Sequence, residues 1–560
     1  MWTNAMEEAV GGASWSDSGS ERGVERWEKC AEKLTAINES KKDSYAQKFL
    51  RAIKIDNDDT VLDVGCGPGT ISIPISRKAK KVTSLDVSKK MLEIVKYRVE
   101  DNEINNLNLV RNDWSEIDIG KDLKKHDVVI ASRSLGMCKL SEELSKLNEA
   151  SKKEVYVVRT ARENDIFRRN LYSALNRDYK ELPTYIYVYN MLCQMELMPT
   201  VKIISCKTRE EYSSFEEALE LWRWRLGDLN KEEEEKISEY LHENLNKCKS
   251  GFKTPYHILR YAILNWGQKE NTHTGDFEVD SKKVGNEKKY EDIDWNRQWR
   301  KFYTFKYSRD SDQDKVEKWE EVSERFNRSL NSESSLLSYV QKFLEKIELS
   351  YDSSVLDIGS GPGTISIPIA KRVRKVTALD YSENMLDLLK ENARKENLEN
   401  INCVNKDWRK VKIGEDIPEH DVVIASRSMG GMGLKDKLLK MKDAARNDVY
   451  LTATAKVSDF EGDVYHKVLG REEVPESEYI YYYNLLYEMG ILPDLEFVWI
   501  KGGEYNWDLD RAMDHFKWKI SDLSIPEEEK LRNHLKKVLM DNDKRESLWC
   551  WALISWSERE

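Results

Sequence analysis

The segment from Val61 to Lys96 reads VLDVGCGPGTISIPISRKAKKVTSLDVSKKMLEIVK, and Val355 to Lys390 reads VLDIGSGPGTISIPIAKRVRKVTALDYSENMLDLLK. The two segments are identical at 22 of 36 positions and lie 294 residues apart. The same separation joins Trp114 to Trp408, and it recurs at later pairs. A constant separation over such a distance indicates two copies of one fold. It does not fit a solenoid, whose repeats are about 20–50 residues long.

The copies also match at their ends. Trp27–Lys33 resembles Trp319–Arg325, and Tyr261–Trp266 resembles Trp551–Trp556. Between them the sequence is polar, with Gly, Asn, Lys and Glu, which is typical of an exposed linker. We therefore expect a first domain at 1–266, a polar linker at 267–290 and a second domain at 291–560.

Within each copy, short apolar segments alternate with helical patterns. In the first copy, Thr60–Val64 and Lys81–Leu85 read as strands, and Met91–Val99 has helical spacing of apolar residues. This alternation predicts a parallel sheet covered by helices on both faces. The remaining predicted elements of the first copy are strands at 107–110, 127–131 and 155–158, a helix at 190–196, a strand at 200–205, a charged helical stretch at 214–245 and a last strand at 257–265.

Composition narrows the class of protein. Hydrophobic residues make up 40% of the 560 residues and charged residues 34%, as in a globular protein with a charged surface. The formal net charge of −11 disfavours a nucleic-acid partner, and no apolar run is long enough to predict a membrane span. The eight cysteines contain no C-x-x-C pair, so we expect free thiols and a cytoplasmic location.

A glycine-rich loop follows the first strand of each copy. Asp63, Gly65, Gly67 and Gly69 recur 294 residues later, and the next segment predicts a helix. Glycines at a strand exit let the backbone approach a ligand, and the helix offers its N-terminal amides. A nicotinamide dinucleotide site would require G-x-G-x-x-G, but here the third glycine position of that motif is Thr70. A tight turn without a ligand is the other alternative.

The acidic residue, the G-x-G-x-G loop and Asp86 at the end of the second strand resemble motifs I and II of class I S-adenosylmethionine (SAM)-dependent methyltransferases. The wider pattern is similar to uncharacterised methyltransferases of anaerobic prokaryotes, and it covers nearly the whole chain twice. The resemblance implies an α/β fold with two tandem Rossmann-like domains. Each would have a seven-stranded, mostly parallel sheet flanked by helices, an N-terminal helical region and a helical insertion before the last strand.

The resemblance also implies SAM as the cofactor. It places the glycine loop against the methionine part of SAM, Asp86 at the ribose hydroxyls and Asp113 at the adenine amino group, with the leading helices (27–53 and 319–347) over the cofactor. Trp114 would stack on adenine, unless it packs in the core. The cofactor-binding set implied in this way is Asp63, Gly65, Gly67, Gly69, Asp86, Asp113 and Trp114, with Asp357, Gly359, Gly361, Gly363, Asp380, Asp407 and Trp408 in the second copy.

Methyl acceptors of this family meet the loop after the fourth strand, which reads Ser132-Arg133-Ser134 here. It lacks the Asn/Asp-Pro-Pro-Tyr/Phe motif of base N-methylases, so that activity is disfavoured. Arg133 could bind an anionic acceptor or the SAM carboxylate, or it could cap the strand end or pair with a nearby acid. The repeated Tyr185 and Asn190 suggest a pocket wall, with packing against the sheet as the alternative. The candidate acceptor-binding residues are Ser132, Arg133, Tyr185, Asn190, Ser426, Arg427, Tyr479 and Asn484.

The motifs and the resemblance together lead to an expected function. We expect a SAM-dependent methyltransferase acting on a small molecule, with SAM and the acceptor as its partners. One copy could instead be a non-catalytic scaffold or regulatory unit, or the acceptor could be protein or RNA. Methyl transfer depends mainly on holding two reactants in line. We therefore assign no general base, and the sequence shows no metal-ligand spacing.

Overall fold

The computed structural model describes residues 45–135, 139–177, 179, 184–227, 229–267, 293–307, 323, 334–456, 464, 468–469, 477–501, 508–520, 523–540 and 548–558. The chain divides into two compact units, Met1–Ile293 and Asp294–Glu560. The matching segment Trp27–Lys33, nearly all of its counterpart Trp319–Arg325 and the predicted linker beyond Gly267 lie outside the described residues. The described helices include none long and apolar enough to cross a membrane.

The first copy is built from alternating strands and helices. Its strands are β1 (Thr60–Val64), β2 (Lys81–Asp86), β3 (Leu107–Arg111), β4 (His126–Ser132), β5 (Ser151–Asn164), β6 (Thr200–Thr208), β7 (Glu211–Tyr212), β8 (Asn246–Cys248), β9 (Gly251–Lys253) and β10 (His257–Gly267). Its helices are α1 (Tyr45–Ala52), α2 (Ser72–Ser76), α3 (Lys89–Asp101), α4 (Leu140–Ala150), α5 (Ile166–Ala174), α6 (Thr184–Gln194), α7 (Phe215–Leu226) and α8 (Lys231–Asn244).

The main sheet of the first copy has the order β3-β2-β1-β4-β5-β10-β6. Strands β1 to β5 pair in parallel, whereas β10 is antiparallel to both β5 and β6. The central strands are buried almost throughout, as in β1 and β2, which is the pattern of a parallel sheet covered on both faces. The predicted seven-stranded, mostly parallel sheet is therefore confirmed.

One face of this sheet carries a continuous apolar core. Phe49 of α1 is fully buried there with Val61, Ile75, Val158 and Tyr261, which come from four other elements. Helices α4 and α6 pack on β5. Helix α1 therefore lies on a face of the sheet, and its first residue, Tyr45, reaches the carboxyl end of β4 through Ser132.

The insertion before the last strand has a core of its own. The predicted stretch 214–245 is two helices rather than one, because α7 ends at Gly227, whose φ is +74°, and Asn230 then caps α8. Asn230 and Glu233 form a capping box, which satisfies amides at the start of α8. Trp222 is almost fully buried between these helices and the small sheet β7-β9-β8.

The second copy repeats this architecture. Its strands are β11 (Ser354–Ile358), β12 (Lys375–Asp380), β13 (Ile401–Asn405), β14 (His420–Ser426), β15 (Ala445–Lys456), β16 (Asp494–Lys501) and β17 (Leu548–Ser557), in the order β13-β12-β11-β14-β15-β17-β16. Its helices are α9 (Trp295–Tyr307), α10 (Ser334–Lys346), α11 (Ser366–Ala370), α12 (Glu383–Lys395), α13 (Leu434–Ala444), α14 (Glu478–Glu488), α15 (Leu509–Lys519) and α16 (Ile525–Met540). Strand β17 is antiparallel to β15 and β16.

Candidate functional site

The three glycines after β1 have different surroundings. Gly65, Gly67 and Gly69 all have positive φ values, +67°, +52° and +79°. A Cβ on Gly65 would lie 2.3 Å from the Cβ of Ser134, and one on Gly69 would lie 3.1 Å from Ile73, whereas one on Gly67 would meet nothing within 4 Å. The backbone of Gly67 therefore borders open space, and the other two glycines permit close packing.

The second copy reproduces this pattern. A Cβ on Gly359 would lie 2.4 Å from Ser428, and one on Gly363 would lie 2.8 Å from Ile367, but Gly361 again borders open space. In both copies the glycine loop therefore packs against the loop after the fourth strand and leaves its middle glycine accessible. Of the predicted glycines after β1 and β11, Gly67 and Gly361 are the ones that border open space, and their contact with a cofactor stays a prediction.

Asp86 and Asp380 end the second strands and are joined to these accessible glycines. One oxygen of Asp86 accepts from the amide of Gly67 at 2.8 Å, and the other accepts from the amide of Ser88 at 2.9 Å. Asp380 accepts in the same way from Gly361 at 2.9 Å and from Ser382 at 2.9 Å. Each carboxylate oxygen can accept a second hydrogen bond, so both residues retain acceptor capacity beside the glycine loop.

Asp63 and Asp357 are almost fully buried, with 1% of each residue exposed to solvent. Asp63 accepts from the hydroxyl of Ser72 at 2.5 Å, and Asp357 accepts from Ser366 at 2.6 Å. Burial raises the pKa of each carboxyl to about 6. These residues tie β1 and β11 to the start of the following helix, and their cofactor-binding role stays a prediction.

Asp113 and Trp114 form a short 3-10 turn after β3. Asp113 caps this turn by accepting from the amide and hydroxyl of Ser115, both at 2.8 Å. Trp114 is buried, and the ammonium of Lys146 lies 5.1 Å from the centre of its ring. Packing thus accounts for the position of the ring, and stacking on adenine stays a prediction.

The corresponding residues of the second copy lie in the same turn. Asp407 accepts from the amide of Arg409 at 2.9 Å and also pairs with its guanidinium. Trp408 is buried with Lys440 5.5 Å from its ring centre. Arg409 thus engages the carboxylate that we expected to meet adenine.

The loop after the fourth strand is fixed to both neighbouring elements. The hydroxyls of Ser132 and Tyr45 lie 2.6 Å apart, and those of Ser426 and Tyr339 lie 2.7 Å apart. Ser134 donates to the carbonyl of Val64, which ends β1. The predicted acceptor loop is therefore held against the glycine loop.

Arg133 and Arg427 both have left-handed backbone conformations, with φ of +60° and +59°. The guanidinium of Arg133 lies 4.6 Å from the ring centre of Tyr45 and 5.6 Å from that of Tyr261. The guanidinium of Arg427 lies 4.7 Å from Tyr339 and 5.6 Å from Trp551. Each arginine therefore lies in an aromatic recess.

The four rings of these recesses lie outside the set of site residues predicted from the sequence. Tyr45 and Tyr339 share the separation of 294 residues, and Tyr261 and Trp551 begin the matching C-terminal segments. The signal was therefore present, but the sheet order was needed to place these rings beside the arginines.

The residues predicted to form a pocket wall, with packing as the alternative, are buried in their helices; they are Tyr185, Asn190, Tyr479 and Asn484. All four are at most 3% exposed, and the amides of Asn190 and Asn484 donate to helix carbonyls one turn earlier. Their helices are buried on nearly every side, since α6 packs on β5 and α14 lies between β15 and α9. Burial and helix packing therefore favour the packing alternative, and acceptor binding by these four residues stays a prediction.

Two polar atoms at the glycine loops lack partners. The hydroxyl of Thr70 and the hydroxyl of Ser360 are buried and without a hydrogen-bond partner in the described part of the chain. A buried hydroxyl without a partner is uncommon in native structures and calls for an explanation. Together with the open space at Gly67 and Gly361 and the acceptors on Asp86 and Asp380, these hydroxyls fit a polar ligand such as SAM.

Comparison with known proteins also identifies methyltransferase domains in this chain. A family model described as "Methyltransferase domain" matches residues 61–153 and 355–446. An uncharacterised protein of Haemophilus influenzae is 31% identical over 242 residues, which cover 43% of this chain and 88% of that protein. The chain belongs to the class I SAM-dependent methyltransferase family and carries its domain twice.

Other similarities cover a smaller part of the compared proteins or have a lower sequence identity. A protein of Methanosphaera stadtmanae named "Probable ribosomal RNA small subunit methyltransferase A" is 31% identical over 111 residues, 19% of this chain and 40% of that relative. Among solved structures, the YcgJ protein of Bacillus subtilis covers 40% of this chain and 97% of its own, with 12% identity and a TM-score of 0.28. Phosphoethanolamine N-methyltransferase 1 of Haemonchus contortus covers 99% and 98%, with 11% identity and a TM-score of 0.27.

Proposed function

We propose that this chain is a SAM-dependent methyltransferase with two cofactor sites, one at the carboxyl edge of each sheet. The observation that carries the proposal is the pair formed by an accessible glycine and an acidic strand end, Gly67 with Asp86 and Gly361 with Asp380. The domains would extend over 1–266 and 291–560, joined by the polar linker.

Within each site the residues have separate tasks. Asp86 would accept hydrogen bonds from the ribose hydroxyls while it holds the Gly67 amide, so that one carboxylate shapes the loop and binds the ligand. The open space at Gly67 would receive the methionine part of the cofactor. Asp113 would face the adenine from the next strand.

SAM supplies an electrophilic methyl group on a good leaving group, so the protein needs chiefly to hold the acceptor in line. The acceptor would enter over the loop that contains Ser132 and Arg133, which packs against the glycine loop. We propose a small molecule as the acceptor. The net charge of −11 makes an extended nucleic-acid partner less favourable.

Two alternatives stay testable. Some relatives bear RNA methyltransferase names, although they match only part of this chain. One copy could also bind the cofactor without catalysing a transfer. The two copies differ near the acceptor loop, where Thr452 stands in place of Val158 and accepts from the Arg427 amide at 3.0 Å.

The function is tested by incubating the chain with methyl-labelled SAM and three fractions of a cell extract: small molecules, protein and RNA. We expect labelling in the small-molecule fraction, and none with the Asp86→Asn, Asp380→Asn double variant. Labelling confined to RNA or protein would refute the small-molecule acceptor. No labelling above that of the variant in any fraction would refute the enzymatic function.

A further inference from the structure

The backbone at Arg133 and Arg427 is strained in the same way in both copies. Each arginine directly follows the fourth strand of its sheet, and each has a φ near +60°. This conformation is unfavourable for a residue with a side chain, and such strain collects at functional sites. The strain places both guanidinium groups over aromatic rings at the carboxyl edge of the sheet.

The guanidinium groups of Arg133 and Arg427 lie over aromatic rings, and a guanidinium that stacks on a ring can keep N–H groups at its edge for other partners. The N–H groups of arginine lie in the plane of the guanidinium, so a stacked arginine can still donate in pairs to an anion. Tyr45 is held by its hydrogen bond to Ser132, and Tyr339 by bonds to Ser426 and Thr452. The rings are thus fixed platforms that orient the two arginines.

Neither arginine has an acidic partner among the described residues. The side chains that act on the charge of Arg133 are Tyr261, Tyr45 and Cys206, and Tyr261 also hydrogen-bonds to it. For Arg427 the corresponding neighbour is Tyr339, and its buried Nε has no hydrogen-bond partner in the described part of the chain. The buried Nε of Arg427, a cationic donor without an acceptor among the described residues, therefore points to an anionic ligand at that arginine, and Arg133 occupies the equivalent position.

The recess is also accessible. Protein surrounds the Arg133 guanidinium on most sides, yet the residue as a whole is exposed to solvent, and Arg427 is half-buried. Both arginines adjoin Ser134 and Ser428, whose side chains contact the glycine loops. An anion bound there would therefore lie beside the reactants.

We propose that Arg133 and Arg427 each bind a carboxylate group of a reactant. The edge of a guanidinium matches a planar carboxylate, and Arg133 or Arg427 brings a single positive charge that a single carboxylate balances. This inference rests on the proposed function, because the reactants are SAM and its acceptor. The carboxylate belongs either to the methionine part of SAM or to the acceptor, and two experiments distinguish these sources.

In the first experiment, the full chain and its Arg133→Gln, Arg427→Gln double variant are titrated with S-adenosylhomocysteine and with its decarboxylated analogue. If the methionine carboxylate is the ligand, the wild type binds S-adenosylhomocysteine about 10- to 100-fold more tightly than the analogue, and the variant loses this preference. Arg77→Gln is the matched control, because Arg77 is exposed and its guanidinium donates to the exposed side chain of Asn102. This control should bind as the wild type does.

In the second experiment, the chain saturated with S-adenosylhomocysteine is titrated with benzoate and acetate, and tryptophan fluorescence is recorded. A saturable change in the wild type that the double variant lacks assigns the carboxylate to the acceptor. Equal behaviour of wild type and variant in both experiments would overturn the proposal. Should the double variant melt early, Arg133→Lys with Arg427→Lys keeps the charge and must restore part of the carboxylate response.

The outcome for the proposed function can be read separately. A wild-type chain that binds no S-adenosylhomocysteine would refute the cofactor assignment. The benzoate titration without nucleoside would then still decide whether the arginines bind a carboxylate, since a response lost in the double variant supports the arginine site. No response in the wild type would refute it.

Discussion

Arg159 and Lys437 belong to different elements of the fold, yet each donates to the carbonyl at the same position of the acceptor loop. Arg159 of β5 donates to Leu135 at 2.8 Å, and Lys437 of α13 donates to Met429 at 3.2 Å. Ala453 occupies the second-copy position that corresponds to Arg159, and Glu143 occupies the first-copy position that corresponds to Lys437. The cation that donates to this carbonyl therefore comes from a strand in the first copy and from a helix in the second.

This exchange predicts a strong coupling between Arg159 and Glu143. Arg159→Ala should lower the melting temperature of the first copy by an amount equivalent to about 2–4 kcal/mol, because it leaves a buried carbonyl and Glu143 without their cation. Adding Glu143→Lys should restore at least half of the loss, since it recreates the arrangement of the second copy. Calorimetry of the single and double variants measures both effects. Strictly additive losses would show that the two positions are independent.

The buried carboxyls predict a pH dependence of stability. Burial raises the pKa of Asp63 and Asp357 from 3.8 to about 6, so the folded chain holds protons that the unfolded chain has released. The free energy of unfolding should therefore fall as the pH rises from about 4 to about 6, by about 3 kcal/mol per copy. Asp63→Asn with Asp357→Asn should flatten this part of the curve, measured by urea unfolding at several pH values.

Asp421 provides a control, because its pKa is shifted in the opposite direction to those of Asp63 and Asp357. Although burial acts to raise its pKa, hydrogen bonds from Arg446 and Ser354 hold the pKa of Asp421 below its usual value. Its stabilisation is present above the unfolded pKa and is lost as the pH falls below it. Asp421→Asn should weaken the fold at neutral pH and leave the fall between about pH 4 and 6 unchanged. A flattened curve for this control would contradict the assignment to Asp63 and Asp357.

Substitutions at two positions of the glycine loop should affect cofactor binding and fold stability differently. Gly67→Ala meets no atom within 4 Å, so it should cost only the strain of its positive φ, about 1–2 kcal/mol, while it fills the space proposed for the cofactor. Affinity for S-adenosylhomocysteine should fall at least about tenfold, equivalent to about 1.4 kcal/mol. Gly65→Ala should instead destabilise the fold more strongly, because its Cβ would collide with Ser134. Equal losses of stability for both variants would contradict this division.

The sequence predicted the architecture well for a physical reason. Apolar periodicity predicts the strands and helices, and glycine spacing predicts the loop between β1 and α2. Because the domain is repeated, each of these patterns occurs twice in the chain. The division of 214–245 into two helices was less evident, because the charged residues of α8 obscure the break at Gly227.

Side-chain roles were harder to predict. Repetition at Tyr185 and Tyr479 arises as readily from shared packing as from a shared ligand, and both side chains are buried. The aromatic recess of Arg133 joins residues from α1, the loop after β4, and β10, which are far apart in the chain and meet only in the folded sheet. The exchange of Arg159 for Lys437 needed coordinates as well, because neither residue has a charged counterpart of the same sign in the other copy.

The central claim is that each copy holds one cofactor molecule. Calorimetric titration of the full chain with S-adenosylhomocysteine tests it most directly, together with Asp86→Asn and Asp380→Asn. Asparagine keeps one oxygen acceptor but loses the charge, so each variant should weaken its own site about 10- to 100-fold and leave the other unchanged. We expect two sites in the wild type and one tight site in each single variant. A wild-type stoichiometry of one or zero, or two unaltered sites in either variant, would contradict it.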